Sequence, residues 1–379
     1  MVEFLFWLSL VLIVYTHFGY PLMLRLLVSV TATREVPSPV EPLRPPVSLI
    51  IAAHNEEDLI ERRLDNALSL DYPKAQLEII VASDGSTDGT VERARSVAAR
   101  EGRIHVLDLT RRGKVPAQDA AVEVAGGEVL AFSDANAFWE TGALEMLVRR
   151  FVDERVGYVC GELRYLNAEG SNQEGTYWRF ENWVRGLESR LGSITAGNGA
   201  IYAVRRSAYI HADPRTSHDL SFPFNLVKRG WRCVYEPLAR AIERPLPTVE
   251  TEFHRKRRMM SHAWPIVFGG MLDPRGYGIQ YGFEIFSHRV LRYATPLLHV
   301  LALITNIALV GRGSVYVLTL ACQLAVLAGA WAGRVTGGRA RVLSLLYYYV
   351  LVTASLAAGF WDWVRGGTPA TWERAEGRS

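Results

Sequence analysis

Val47-Ser48-Leu49-Ile50-Ile51-Ala52-Ala53 is an apolar run that stops at His54-Asn55-Glu56-Glu57. A second run, Leu77-Glu78-Ile79-Ile80-Val81-Ala82, ends in Ser83-Asp84-Gly85-Ser86-Thr87-Asp88-Gly89-Thr90. A third, Val129-Leu130-Ala131-Phe132-Ser133, ends in Asp134-Ala135-Asn136. Short β-branched runs with helix-like segments between them read as parallel strands covered on both faces. Ligands bind at the carboxyl ends of such strands, and all three ends here carry acidic or amide side chains.

The segments between and after these runs fit the same plan. Leu59 to Leu70 has helical apolar spacing and Pro73 closes it. Thr90 caps a helix to about Arg100, Ile104 to Leu109 reads as a strand, and Val115 to Val124 as a helix. A helix from Thr141 to about Phe151 precedes a strand at Val156 to Gly161. This order predicts a doubly wound α/β domain. Farther on, Asn172 to Leu191 is an amphipathic helix, and Gly197-Asn198-Gly199-Ala200 a turn entering a strand. Asp219 to Arg229 reads as a helix, Cys233-Val234-Tyr235 as a short strand, and Glu250 to Ala263 as a basic helix.

With 379 residues, 49% hydrophobic and 21% charged, the chain has room for a soluble core and membrane segments. A net charge of +3 is too small to argue for a nucleic-acid partner. Cys160, Cys233 and Cys322 form no Cys-x-x-Cys pair, so neither zinc nor a disulfide framework is indicated. Phe4 to Leu24 is long and apolar enough for one crossing, and its start lacks the basic residues of a cleaved leader. Ala294 to Val310, Val315 to Ala332 and Leu343 to Phe360 give three more. Arg25, Arg34, Arg289 and Arg292 flank the middle domain and place it in the cytoplasm, on the inner (plasma) membrane, with a multi-pass topology.

The boundaries expected are an anchor at 1–30, a Pro-rich linker at 31–46 and a catalytic-type domain at 47–249. An interfacial amphipathic segment at 250–293, membrane helices at 294–361 and a tail at 362–379 complete the chain. Polar residues inside the spans, His17, His299, Asn306 and Gln323, read as packing groups.

Asp134 and Asn136, two positions apart beyond a strand end, offer oxygens to a divalent cation. Asp84 at a second strand end suits a nucleotide spanning both loops, and Gly113-Lys114 adds a cation ahead of a helix. Neither Gly-x-Gly-x-x-Gly nor a P-loop follows any of the strands, against dinucleotide dehydrogenases and P-loop enzymes.

These four motifs, in this order, resemble the nucleotide-sugar domain of family 2 glycosyltransferases, which share the GT-A (Rossmann-like) fold. The likeness extends more weakly to about Trp264, and the later spans resemble those of membrane-bound polysaccharide synthases. The resemblance implies that Ala53, Glu56 and Asp84 line a uracil and ribose pocket, with Lys114 near the base. Asp134, with Asn136, would bind Mg²⁺ or Mn²⁺ on the diphosphate, and Arg258 would add charge to the donor site. Gly197, Asn198, Gly199 and His218 would stand on the acceptor side, and Asp219 would be the catalytic base.

Three departures stand out. Ala52 replaces the usual Pro, Asn136 replaces the second acid of the metal motif, and Arg255-Lys256-Arg257-Arg258-Met259 lacks the Gln and Trp of the processive Gln-x-x-Arg-Trp stretch. The four cations there suit diphosphate, a lipid phosphate or anionic headgroups.

The function expected is an inverting transfer of sugar from a nucleotide diphospho-sugar donor, a UDP-sugar, to a lipid-linked or growing glycan acceptor in envelope or extracellular polysaccharide synthesis, with membrane lipids as further partners. A polyprenyl-phosphate sugar synthase is the alternative within the class; an inactive membrane scaffold or channel is the alternative outside it. The reading requires Asp84, Asp134 and Asp219 to share one cleft.

Overall fold

A computed structural model describes residues 1–31, 44–165, 173–243, 249–268, 272–273, 275–336 and 340–367. Most of the Pro-rich linker (with Arg34), Asn172, Arg339 and the tail from residue 368 lie outside the described residues.

Strand β1 (Val47–Ala53) is buried at every position and pairs in parallel with β2 (Leu77–Asp84) on one side and β4 (Val129–Asp134) on the other. Strand β3 (Ile104–Leu109) extends the parallel set beyond β2. Alternate residues of these strands feed two cores. Leu49, Ile51, Ile79 and Val81 pack with helices α2 (Ile60–Leu68) and α3 (Thr90–Ala98). Ile50, Ile80, Leu130 and Phe132 pack on the opposite face with α4 (Lys114–Val124). Coverage of both faces explains why the three runs are continuous rather than alternating.

The register fixes the site. Ala53 stands opposite Ser83, and Ala52 opposite Asp134, so β1, β2 and β4 end on nearly one line. Their acidic loops therefore emerge along a single edge of the sheet.

Beyond β4 the sheet is mixed. In spatial order it runs β3-β2-β1-β4-β7-β6-β8-β5. Strand β5 (Phe138–Trp139) is two residues long and α5 spans Ala143–Val148. Strand β6 (Val156–Tyr165) outruns the expected end at Gly161. After α6 (Gln173–Leu191), β7 (Tyr202–Arg205) enters antiparallel to both β4 and β6. Helix α7 spans His218–Lys228. Strand β8 (Arg232–Glu243) is twelve residues, not the short Cys233–Tyr235 segment expected. Glu236, Pro237 and Arg240 break the apolar pattern, which hid the strand. The Glu236 carboxylate is buried and tolerated because Arg149, Arg150 and the Leu238 amide donate to it at 3.1, 2.6 and 3.0 Å.

Four helices are long and apolar enough to cross a membrane: α1 (Val2–Thr31), α9 (Ile279–Arg312), α10 (Ser314–Val335) and α11 (Arg341–Gly366). Phe18, Leu297, Leu318 and Val342 are exposed on them, as lipid-facing residues would be. One of these helices is N-terminal and three are C-terminal to the mixed α/β sheet, as the sequence predicts. The stretch read as interfacial divides in two. Helix α8 (Val249–Phe268) packs along α11, while Ile279 onward runs without a break into the second span.

A buried polar junction joins domain and spans. Glu188 on α6 accepts from Tyr20 of α1 at 2.8 Å, contacts His288 Nδ1 of α9 at 2.6 Å and takes the Thr195 amide at 3.0 Å. Glu181, two turns earlier on α6, pairs with Arg292 of α9. Glu188→Ala strands His288 and Tyr20 in the interior; it is expected to lower stability by about 3–5 kcal/mol. Unfolding of the detergent-solubilised chain checks this, with Glu188→Gln losing less.

Candidate active site

The loops after β1 and β2 are laced together before either meets a ligand. His54 Nδ1 lies 2.8 Å from the Asp84 carbonyl oxygen, and Asn55 Oδ1 accepts the Thr87 amide at 2.8 Å. The Glu57 amide donates to Asp88, and Glu57 Oε2 accepts from Gly89 at 3.0 Å. Asn55 holds a φ of +54°, a left-handed conformation that Asn tolerates better than most residues.

Asp84 is 1% exposed, and its carboxylate accepts the Arg112 amide at 2.7 Å and the Gly113 amide at 3.0 Å. It thus ties the β2 end to the turn that launches α4. Gly113 adopts a φ of +112°, which brings its N–H round to that carboxylate. The first residue of α4 is Lys114, whose ammonium forms an ion pair with Asp134 at the β4 end. Burial alone would pull the Lys114 ammonium down; Asp134, then Asp219 and Glu243, outweigh it and hold the group above its ordinary value.

A cleft opens in front of this pair. Its walls include Glu56, Lys114, Asp134, Asn136, Gly199, Asp219 and Arg258. Gly199 marks where they converge. A methyl group there would lie 3.1 Å from Lys114 Nζ, 3.7 Å from Asp134 Oδ2 and 3.9 Å from Asp219 Cγ. Asp219 occupies the first turn of α7.

Other expected site residues stand behind the cleft. The expectation that Asp84 shares one cleft with Asp134 and Asp219 does not hold: Asp134 and Asp219 line it, but Asp84, spent on backbone amides, does not, nor does Ala53, which is fully buried in β1. Gly197 donates its amide to the Asp219 carbonyl oxygen at 2.8 Å and has no room for a side chain against Tyr158. Asn198, by contrast, lines the cleft, although it is largely buried; its side chain donates to the Gly161 carbonyl oxygen at 2.7 Å and accepts from Ala200 and Ile201. His218 is 2% exposed, stacks on Phe222 at 4.2 Å between centroids and lies 3.0 Å from Tyr202 Oη. It adjoins only a smaller recess of about 90 Å³ beside Lys114 and Asp219.

The basic run on α8 divides by face. Arg255 and Arg258 line the cleft with Met259 and His262, at helical spacing. Lys256 lies 5.4 Å over the Tyr348 ring of α11, and Arg257 pairs with Asp362 of the same helix. Two of the four cations therefore dock α8 on a membrane helix.

Residues without a motif also reach the cleft: Tyr165, Trp178, Glu243 and His262. Only His262 had a signal, its position four residues after Arg258 on one helix face.

For a divalent cation, the chain offers the Asp134 carboxylate and the Asn136 amide oxygen. Among the described residues, no cluster of three or more His, Cys, Asp or Glu is arranged to hold a metal. Hard cations that take one or two carboxylates, and otherwise phosphate and water oxygens, fit such a donor set.

Residues 48–230 match the model of the glycosyl transferase family 2. Poly-beta-1,6-N-acetyl-D-glucosamine synthase of Staphylococcus aureus is 27% identical over 201 residues, 51% of this chain and 48% of that one. Beta-monoglucosyldiacylglycerol synthase of Nostoc sp. is 27% identical over 226 residues, 56% and 48% of the two chains. The chain spans about half the length of these curated relatives. A mannosyltransferase structure from Pyrobaculum calidifontis, in complex with GDP-Man and Mn²⁺, shares the fold with a TM-score of 0.73 at 22% identity. That likeness covers 95% of this chain and 99% of the other.

The environment of His218 has a measurable consequence. Burial, then the charge of Lys114, pushes its imidazole down to about 3 from 6.5. The folded state thus resists protonation that the unfolded state accepts. Stability from this group is complete above pH 6.5 and is lost as pH falls toward 3. Between pH 7 and pH 5 the expected loss is about 2 kcal/mol. His218→Phe should remove that part of the slope, read by comparing unfolding of both proteins at the two pH values.

Proposed function

We propose that this chain, whose residues 48–230 form a family 2 glycosyl transferase domain, is a membrane-embedded inverting glycosyltransferase with its cleft facing the cytoplasm. The donor is a nucleotide diphospho-sugar, with UDP as the carrier. The acceptor is a lipid-linked or growing glycan at the membrane surface. The observation that carries the reading is the meeting of Asp134, Lys114 and Asp219 around the open position at Gly199.

In this mechanism Asp219 accepts the proton of an acceptor hydroxyl as its oxygen attacks the anomeric carbon. The bond from that carbon to the diphosphate breaks on the opposite face, and the nucleoside diphosphate departs. A base placed in this way contributes ~10²–10⁴-fold. Lys114 and Arg258 stand on the wall where negative charge grows. Asp134, with Asn136, would hold Mg²⁺ or Mn²⁺, which neutralises diphosphate charge when bound. The Mn²⁺ in the mannosyltransferase neighbour supports a divalent cation here. Lys114 must yield Asp134 to that cation and turn toward the phosphates, a short swing for a flexible ammonium.

A second reading within the class, transfer of one sugar to a lipid acceptor, is favoured by the missing Trp after Arg258. The name of the Nostoc relative, a glucosyldiacylglycerol synthase, points the same way. The Arg255–Met259 turn carries no aromatic side chain to stack on a growing glycan.

The test uses the full chain in nanodiscs with Mn²⁺ or Mg²⁺, screened against UDP- and GDP-sugars for nucleoside diphosphate release. Asp219→Asn should lower kcat ~10²–10⁴-fold with little change in donor KM. Equal turnover by the variant removes Asp219 from the base role. No turnover with any donor favours an inactive scaffold.

A further inference from the structure

Arg63 on α2 is the largest fully buried side chain in the described structure, with no exposed surface. Its Nη1 donates to Asn66 Oδ1 at 3.1 Å, but Nε and Nη2 have no hydrogen-bond partner among the described residues. A buried guanidinium so sparsely satisfied is costly to the fold, and an apolar side chain of similar volume would serve packing better. Burial draws its value down to about 9, against the pull of Asp134, so it is charged at neutral pH.

Its neighbours lead to the cleft. The guanidinium lies 5.8 Å from the Trp139 ring centroid, and Arg62 lies over Phe138 beside it. Asn66 accepts the Trp139 amide and donates to the Trp139 carbonyl oxygen, both at 2.9 Å. Trp139 Nε1 in turn donates to the Ala200 carbonyl oxygen at 3.0 Å, one residue beyond Gly199. Arg63 therefore packs on Trp139, three residues beyond the cleft-lining Asp134, Ala135 and Asn136. No motif marks it, since Arg62-Arg63 reads as an ordinary exposed pair on a helix.

We propose that Arg63 is an electrostatic positioning residue of the donor site. Its buried charge, held against Trp139 just past the Asp134–Asn136 loop, draws the nucleoside diphosphate into the cleft without touching it. This rests on the glycosyltransferase reading and extends it. With Asn136 in place of a second acid, fewer negative charges face the diphosphate, and a fixed cation behind the loop strengthens the same bias. Being dry and immobile, that charge needs no reorganisation as the leaving group forms.

The experiment measures binding of UDP and GDP, and of the parent nucleosides, to the full chain in nanodiscs, together with thermal unfolding. Arg63→Met should weaken the preferred nucleoside diphosphate about tenfold, the scale of one unit charge acting at ~10 Å through an effective dielectric of ~20. Nucleoside binding should be unchanged, and Tm should hold or rise by about 2–4 °C as the buried charge is removed. Arg63→Lys should keep most of the diphosphate affinity. A fall in Tm with equal weakening of nucleoside and diphosphate would make Arg63 a packing residue and overturn the proposal. Unchanged diphosphate affinity in Arg63→Met would overturn it as well. If the wild-type chain binds neither diphosphate, the glycosyltransferase reading fails and this inference falls with it.

Discussion

The in-register ending of three parallel strands is the constraint on which the site depends. Ala53 opposite Ser83 and Ala52 opposite Asp134 leave the chain to turn out of the sheet at one level. Because side chains alternate along a strand, a slip of one residue would turn Asp134 to the other face. Two covered faces make such a slip expensive: Leu49 and Ile51 would exchange places with Ile50 between cores of different shape. The hydrophobic pattern thus fixes where the carboxylates emerge.

Those carboxylates then divide the work. Asp84 spends its oxygens on the amides of Arg112 and Gly113, which aims α4 so that Lys114 arrives beside Asp134. Asp134 and Asp219 keep their side chains on the cleft wall. Gly197 carries the same logic on the far side, since its amide holds the Asp219 backbone while Gly199 stays bare to leave space. Asp84 thus shapes the site through Lys114 rather than through its own oxygens.

The parallel half of the fold was legible in the sequence because buried strands write continuous apolar runs, and their ends carry turn residues. The mixed half was not. Strand β8 carries Glu236, whose buried carboxylate pairs with Arg149 and Arg150 from far along the chain, and no local pattern announces them as its partners. His218 was read as facing an acceptor from its place beside Asp219. A helix turns by 100° per residue, so a neighbour in sequence is carried off toward Phe222 and Tyr202. The same turn sends Lys256 and Arg257 to α11 and leaves Arg255 and Arg258 on the cleft. Arg63 lay beyond sequence reading for the opposite reason, since a charge is expected outside unless something requires it within.

The division of the basic helix also bears on how cleft and membrane are held together. Helix α8 is fastened to α11 by Lys256 and Arg257, and α6 is fastened to α1 and α9 by Glu188 and Glu181. From α6, Arg185 donates to the carbonyl oxygens of Ala196 and Gly197, the segment that holds Asp219. Both walls of the cleft are thereby referred to the membrane helices rather than to the sheet alone. The Glu188 and Glu181 contacts are largely buried and leave little freedom because each lost partner strands a charge, whereas the partly exposed Arg257–Asp362 pair holds less firmly. For the acceptor proposed at the membrane surface, such a tie would set the height at which Asp219, the proposed base, meets the attacking hydroxyl.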